Sequence, residues 1–144
     1  MIITEQLARN YRLSKNFTLY EFLHSDTAIA GNYMNLQYDI TEKHILNLMR
    51  LCTFVLQPIR DHIKTPITIP SGYRSLRLNS EIKGSLTSDH MQAKAADWVC
   101  TDMKKAWEFA KKLPFKQLIK YGDFRFIHVA YDEFDNRKQT LTFS

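Results

Sequence analysis

Between Thr41 and His62 the apolar residues Ile45, Leu48, Met49, Cys52, Val55, Leu56 and Ile59 recur at steps of three and four. That spacing places them on one stripe of an amphipathic helix, which the rest of the chain must cover. Thr41 is a good N-cap and Glu42 suits the first turn, where a carboxylate faces the positive end of the helix dipole. Pro58 falls inside the pattern. It lacks an N–H and crowds the preceding turn, so it is expected to kink or restart the helix. Pro66 closes the region.

Shorter elements flank this helix. In NFTLYEFLHSDTA (Asn16 to Ala28), Thr18 precedes Glu21 at a capping-box spacing, and a short helix from Leu19 to His24 is expected. Residues Ala28 to Asp39 read as a loop. Ile67-Thr68-Ile69 is a strand candidate leading into the loop Pro70-Ser71-Gly72-Tyr73-Arg74-Ser75. A helix over Leu76–Ile82 ends at Gly84. Ala95–Cys100 (AADWVC) reads as a buried strand, and Thr101 or Asp102 caps a helix that stops before Pro114. Beyond Pro114, Lys116–Tyr121, Arg125–Tyr131 and Lys138–Phe143 read as three strands. Turns at Gly122-Asp123 and Asp135-Asn136 separate them, which predicts an antiparallel meander. Helices first, then strands with one inserted helix, give an α+β fold: a small antiparallel sheet packed against helices in a single domain spanning residues 1–144.

The 144 residues carry 44% apolar side chains, enough for a core, and no apolar run long enough for a membrane span. The N-terminus lacks the basic start, apolar block and cleavage site of a signal peptide, so synthesis in the cytoplasm is expected. The net charge is +5, with the basic residues scattered. No basic stripe with interleaved aromatics occurs, and charge alone supports no specific nucleic-acid partner. Cys52 and Cys100 belong to no CxxC pair; both are expected to be buried, free thiols. The oligomeric state is left open.

Of the five histidines, His24, His44 and His62 sit on or beside helices and read as capping, packing or surface residues. His90 and His128 have different surroundings. His90 lies in a polar loop that feeds the strand carrying Asp97, and His128 lies within a strand between Ile127 and Val129. An aspartate inside Ala-Ala-Asp-Trp-Val is costly unless it is paired or bound to a cation. Two histidines and a carboxylate fit the three-ligand set of a catalytic zinc. Taken singly, His128 fits a half-buried histidine with one hydrogen bond and Asp97 a carboxylate on backbone amides. The combination and its spacing suggest the metal site without being a strong signal for it.

The ordered motifs Ser71-Gly72-Tyr73-Arg74-Ser75, Ser88-x-His90-x6-Asp97 and Phe126-Ile127-His128-Val129 resemble the D-Ala-D-Ala carboxypeptidase group of zinc peptidases. Its superfamily includes lysostaphin-type endopeptidases and the hedgehog domain. The resemblance covers nearly the whole chain and is strongest to small peptidase-like proteins of phages and prophages. It implies zinc held by His90, Asp97 and His128. It also implies Arg74 as a catalytic and substrate-binding residue whose guanidinium fork holds a carboxylate or carbonyl. Ser88 and Tyr73 would lie on the substrate side. The implied substrates are peptidoglycan stem or cross-link peptides, cut at the cell wall after release or by a virion component.

Three positions depart from the family pattern. Ala93 replaces a glycine, and Phe126 stands where tryptophan is common. The family's catalytic carboxylate, which moves the proton in hydrolysis, is missing from its usual place. Counted from Gln117-Leu118-Ile119 that place is Tyr121; counted back from His128 it falls near Asp123. Asp123 is the hairpin carboxylate that could serve as base, although Gly122-Asp123 is also an ordinary turn pair. Tyr121 could donate to an oxyanion but is a poor base at neutral pH. The alternative function is therefore a zinc-containing, non-catalytic binding protein of the same fold.

Overall fold

The computed structural model describes residues 1–144. Helix α1 (Glu5–Asn10) leads into a small hairpin of β1 (Arg12–Ser14) and β2 (Phe17–Thr18), and then α2 (Leu19–Leu23). The Glu21 carboxylate accepts from the Thr18 N–H at 2.6 Å, the return contact of a capping box. The stretch expected to be a loop instead holds α3 (Asp26–Ala30) and α4 (Met34–Gln37). Local chemistry explains this correction: the Ser25 hydroxyl accepts from the Ala28 N–H and starts α3 without any apolar period.

The long amphipathic helix comprises α5 (Glu42–Leu51), a π-helical turn over Cys52–Leu56 and α6 (Gln57–Ile63). Thr41 caps it, accepting from the His44 N–H. Pro58 cannot donate back into the preceding turn, and the chain accommodates it by widening: the Gln57 N–H reaches back five residues to the Cys52 carbonyl. Leu48, Cys52, Val55, Leu56 and Ile59 are fully buried, as is Leu51, which the stripe omitted. Ile45 and Met49 are partly exposed at its margin.

After this helix come β3 (Thr68–Ser71), α7 (Leu76–Glu81), a 3-10 turn over Asp89–Gln92, β4 (Ala95–Val99), α8 (Met103–Ala110), β5 (Gln117–Tyr121), β6 (Phe126–Ala130) and β7 (Gln139–Phe143). Asp102 caps α8 by accepting from the Lys105 N–H. The five long-range strands form one sheet in the order β3-β4-β6-β5-β7. Every pair is antiparallel except β5 with β7, which is parallel. The expected meander is thus corrected at its last step. β6 already has β4 on one side and β5 on the other, so β7 cannot pair with it and adds to the outer edge of β5 instead. The Lys138 and Gln139 N–H groups donate to the Phe115 and Lys116 carbonyls and set that parallel register.

Side chains alternate across the sheet. Ala96, Trp98, Leu118, Ile127 and Val129 point to the helical side and join Leu48, Leu51, Leu56, Ile59 and Trp107 in one core. The opposite face carries the row Ser71, Asp97, His128, Ile119 and Leu141, one residue from each strand in register. No helix is long and apolar enough to cross a membrane.

Candidate metal centre

Asp97 and His128 are direct partners across β4 and β6, and the carboxylate accepts from His128 Nδ1 at 2.9 Å. His90 comes from the 3-10 turn, which the Ser88 hydroxyl caps by accepting from the His90 N–H. That turn is docked onto the Gly72 loop by two bonds. The Arg74 N–H donates to the His90 carbonyl at 3.0 Å, and His90 Nδ1 donates to the Gly72 carbonyl at 2.7 Å. His90 Nε2 then lies 3.4 Å from the same Asp97 oxygen that faces His128.

This geometry tests whether a metal fits. A carbonyl can only accept, so Gly72 fixes the proton of a neutral His90 on Nδ1. Nε2 is left as a lone pair aimed at a carboxylate oxygen. Two acceptors facing each other require positive charge between them, a second proton or a metal ion. One ligand atom from each of His90, Asp97 and His128 can be chosen so that all lie within 4.8 Å of one another. Two imidazoles and one carboxylate are a donor set that zinc takes with a fourth position left open. The Gly72 carbonyl behind His90 is the outer contact that orients a ligating histidine.

Asp97 is 9% exposed. Burial alone would push its carboxyl up. With both imidazoles protonated, hydrogen bonds and charge from His128 and His90 outweigh that and hold it well below the usual carboxylate range. Arg74 adds a looser contact, Nη2 lying 3.7 Å from the second Asp97 oxygen while Nε donates to Ser71 Oγ at 3.2 Å.

The centre forms one wall of a cleft of about 590 Å³. Arg74, Ser88 and Tyr121 line it with the three candidate ligands. Burial pushes the Tyr121 phenol up; the Asp97 carboxylate adds to this and Arg74 opposes it. Two expected residues lie elsewhere. Tyr73 is only 7% exposed and does not line the cleft. Its ring packs against His44 at 4.9 Å, its N–H donates to the Phe22 carbonyl, and its own carbonyl accepts from Gln37. It is a core residue that shapes the Gly72 loop, which corrects its placement on the substrate side. Asp123 is exposed at the β5–β6 turn, outside the residues that line the cleft. The cleft carboxylates are Asp97 and Asp89, and both oxygens of Asp89 accept from Lys116 Nζ, at 3.0 and 3.1 Å.

The remaining histidines do what their positions imply. His24 bridges the Tyr20 hydroxyl and Asp26, His44 Nδ1 accepts from the Thr41 N–H, and His62 stacks on Phe109. Cys52 is buried, Cys100 is half-buried, and both are free thiols. The residue that sequence reasoning missed is Gln37. Fully buried, it donates to the Leu23 and Tyr73 carbonyls and accepts from the Ser75 N–H, so it anchors both sides of Arg74. Its only signal was a lone amide in a stretch without period. Lys116 and Asp89, 27 residues apart, left no local signal at all.

Residues 15–130 match the family described as Peptidase M15. The chain belongs to the peptidase M15 family. That membership makes it a metallopeptidase by descent and points to peptides as its substrates. No curated protein matches the chain significantly in sequence. Within the M15 frame, the His90–Asp97–His128 cluster is the place where a metal could bind.

Proposed function

We propose that the chain is a zinc-dependent peptidase, encoded by a phage or prophage, that hydrolyses peptidoglycan stem or cross-link peptides. It would act at the cell wall, after release or from a virion. The observation that carries the reading is the cluster of His90, Asp97 and His128, whose ligand atoms lie within 4.8 Å of one another, inside a cleft of an M15 family chain. When bound there, zinc would supply Lewis-acid polarisation of a carbonyl and a water of lowered pKa.

The chain's own residues do the rest. His90, held by the Gly72 carbonyl, and His128 present their nitrogens to one point beside Asp97. Arg74 extends its fork into the cleft, where it can hold a peptide carboxylate or carbonyl. Ser88 keeps the His90 turn closed. A second reading, a zinc-containing peptide-binding protein without turnover, is favoured by one feature: neither cleft carboxylate is free, since Asp97 sits among the ligands and Asp89 is engaged by Lys116.

One experiment separates them: metal analysis of the purified chain together with digestion of muropeptides, with and without chelator. One zinc per chain and cleavage that chelation abolishes and zinc restores support the peptidase. Zinc with peptide binding but no cleavage selects the binding protein. A chain that takes up no zinc defeats both.

A further inference from the structure

Most charged groups of the cleft are paired with one another, and Tyr121 is the one aromatic hydroxyl among its lining residues. Arg74 is engaged by Ser71 and faces Asp97, and Lys116 donates to both oxygens of Asp89. The Gln117 amide donates to Gln139 at 2.9 Å, and Arg137 pairs with Asp135. Tyr121 lines the same cleft, and its hydroxyl is hydrogen-bonded to no other group of the protein. Its ring is nevertheless fixed. It stacks on Phe126 with centroids 4.5 Å apart and planes at 16°, and Phe143 flanks it at 5.5 Å.

Register puts this phenol beside the metal centre. Tyr121 pairs with Phe126 two ladder steps from the pair Ile119 and His128, and so on the same face of the sheet. Such diagonal neighbours are within reach of an aromatic side chain. An aromatic ring held on two sides, with a free O–H at its tip, is a preorganised donor: it needs no rearrangement when charge develops next to it.

We propose that the Tyr121 hydroxyl is a catalytic hydrogen-bond donor to the oxygen of the scissile carbonyl. This rests on the peptidase reading. As the oxygen of the attacking water bonds to the carbonyl carbon, the carbonyl π pair moves onto its oxygen, and Tyr121 shares its proton with that oxygen without giving it up. When the C–N bond breaks, the pair returns to the carbonyl. One proton of the water leaves with the amine and the other stays with the new carboxyl group.

The test compares wild type and Tyr121→Phe as zinc-loaded full chains. Zinc affinity is read by chelator competition, and calorimetry reads the binding of a dipeptide and of its tetrahedral phosphinate analogue. Turnover of muropeptides is measured alongside. Tyr121→Phe is expected to keep zinc affinity and dipeptide binding within about twofold, to weaken phosphinate binding at least about tenfold, and to lower kcat on the order of 100-fold with little change in KM. Equal phosphinate binding by the two chains, or a wild type that does not prefer phosphinate over dipeptide, overturns the assignment. A phosphinate preference that depends on Tyr121, in a chain that cleaves nothing, supports the donor and sinks the peptidase reading instead.

Discussion

Replacing Gly72 with alanine tests how the fold holds His90. A Cβ at that position would lie 2.5 Å from the Phe22 carbonyl oxygen, 2.7 Å from its Cα and 2.9 Å from its Cβ. Ordinary contact begins at 3.4 Å, so the loop must retreat from α2 by roughly 0.9 Å. Two of those atoms are backbone and cannot swing aside. The retreat also stretches the bond from the Tyr73 N–H to the Phe22 carbonyl, now 2.7 Å. Overpacking of this size costs ~1–3 kcal/mol. With about 2.1 cal/mol/K of unfolding entropy per residue, a 144-residue chain loses roughly 3–10 °C of Tm for that cost. The Gly72 carbonyl is also the acceptor that orients His90. Loss of such an outer contact lowers metal affinity about 10–100-fold. Scanning calorimetry of the metal-free variant and zinc competition with a chelating dye read the two effects separately. A lower Tm with unchanged zinc affinity would refute the role of the carbonyl. No change in either would refute the packing argument itself.

Zinc at about 1,000 times its Kd should stabilise the folded chain by ~4 kcal/mol, or roughly 10–15 °C in Tm, and His90→Ala should abolish that shift; a chain whose Tm ignores zinc contradicts the site. Asp123→Ala should leave zinc affinity and muropeptide cleavage within about twofold, given its exposed place outside the cleft; a large loss of cleavage would reinstate it as the base. Asp132 accepts from Lys94 Nζ at 2.9 Å, and this bond lowers its carboxyl from the ordinary value. Its stabilising effect is therefore complete above the ordinary carboxylate range, near pH ~4, and is lost as the pH falls through the depressed folded value. Urea unfolding of wild type and Asp132→Asn should differ most near neutrality and converge in acid; a gap that widens in acid is the contrary result.

Much of the fold was legible because its signals are local or periodic. The stripe from Ile45 to Ile59 and the caps Thr41 and Asp102 lie within a few residues of what they control. The parallel pairing of β7 was not legible, since it depends on which strand edge remains open after β4 and β5 have flanked β6. Helices α3 and α4 escaped because capping and buried amides, rather than an apolar period, hold them. At the centre, the histidine and aspartate spacings posed the question, and strand register answers where the side chains meet. Tyr73 shows the limit of carrying a motif across: its neighbours Gly72 and Arg74 reach the centre while its own side chain packs into the core. Ala93, where the family pattern has glycine, adopts φ of 58°, a left-handed conformation that costs a non-glycine residue ~1–2 kcal/mol. The turn between His90 and β4 keeps the family's backbone shape without the family's residue.

Whether His90, Asp97 and His128 hold one zinc ion in the cleft is read by an anomalous difference map at the zinc edge, from crystals of the zinc-loaded chain. One strong peak is expected about 2.0–2.2 Å from His90 Nε2, an Asp97 oxygen and a His128 ring nitrogen. No peak there, or zinc seated only on other side chains such as His24 and Asp26, would contradict the site.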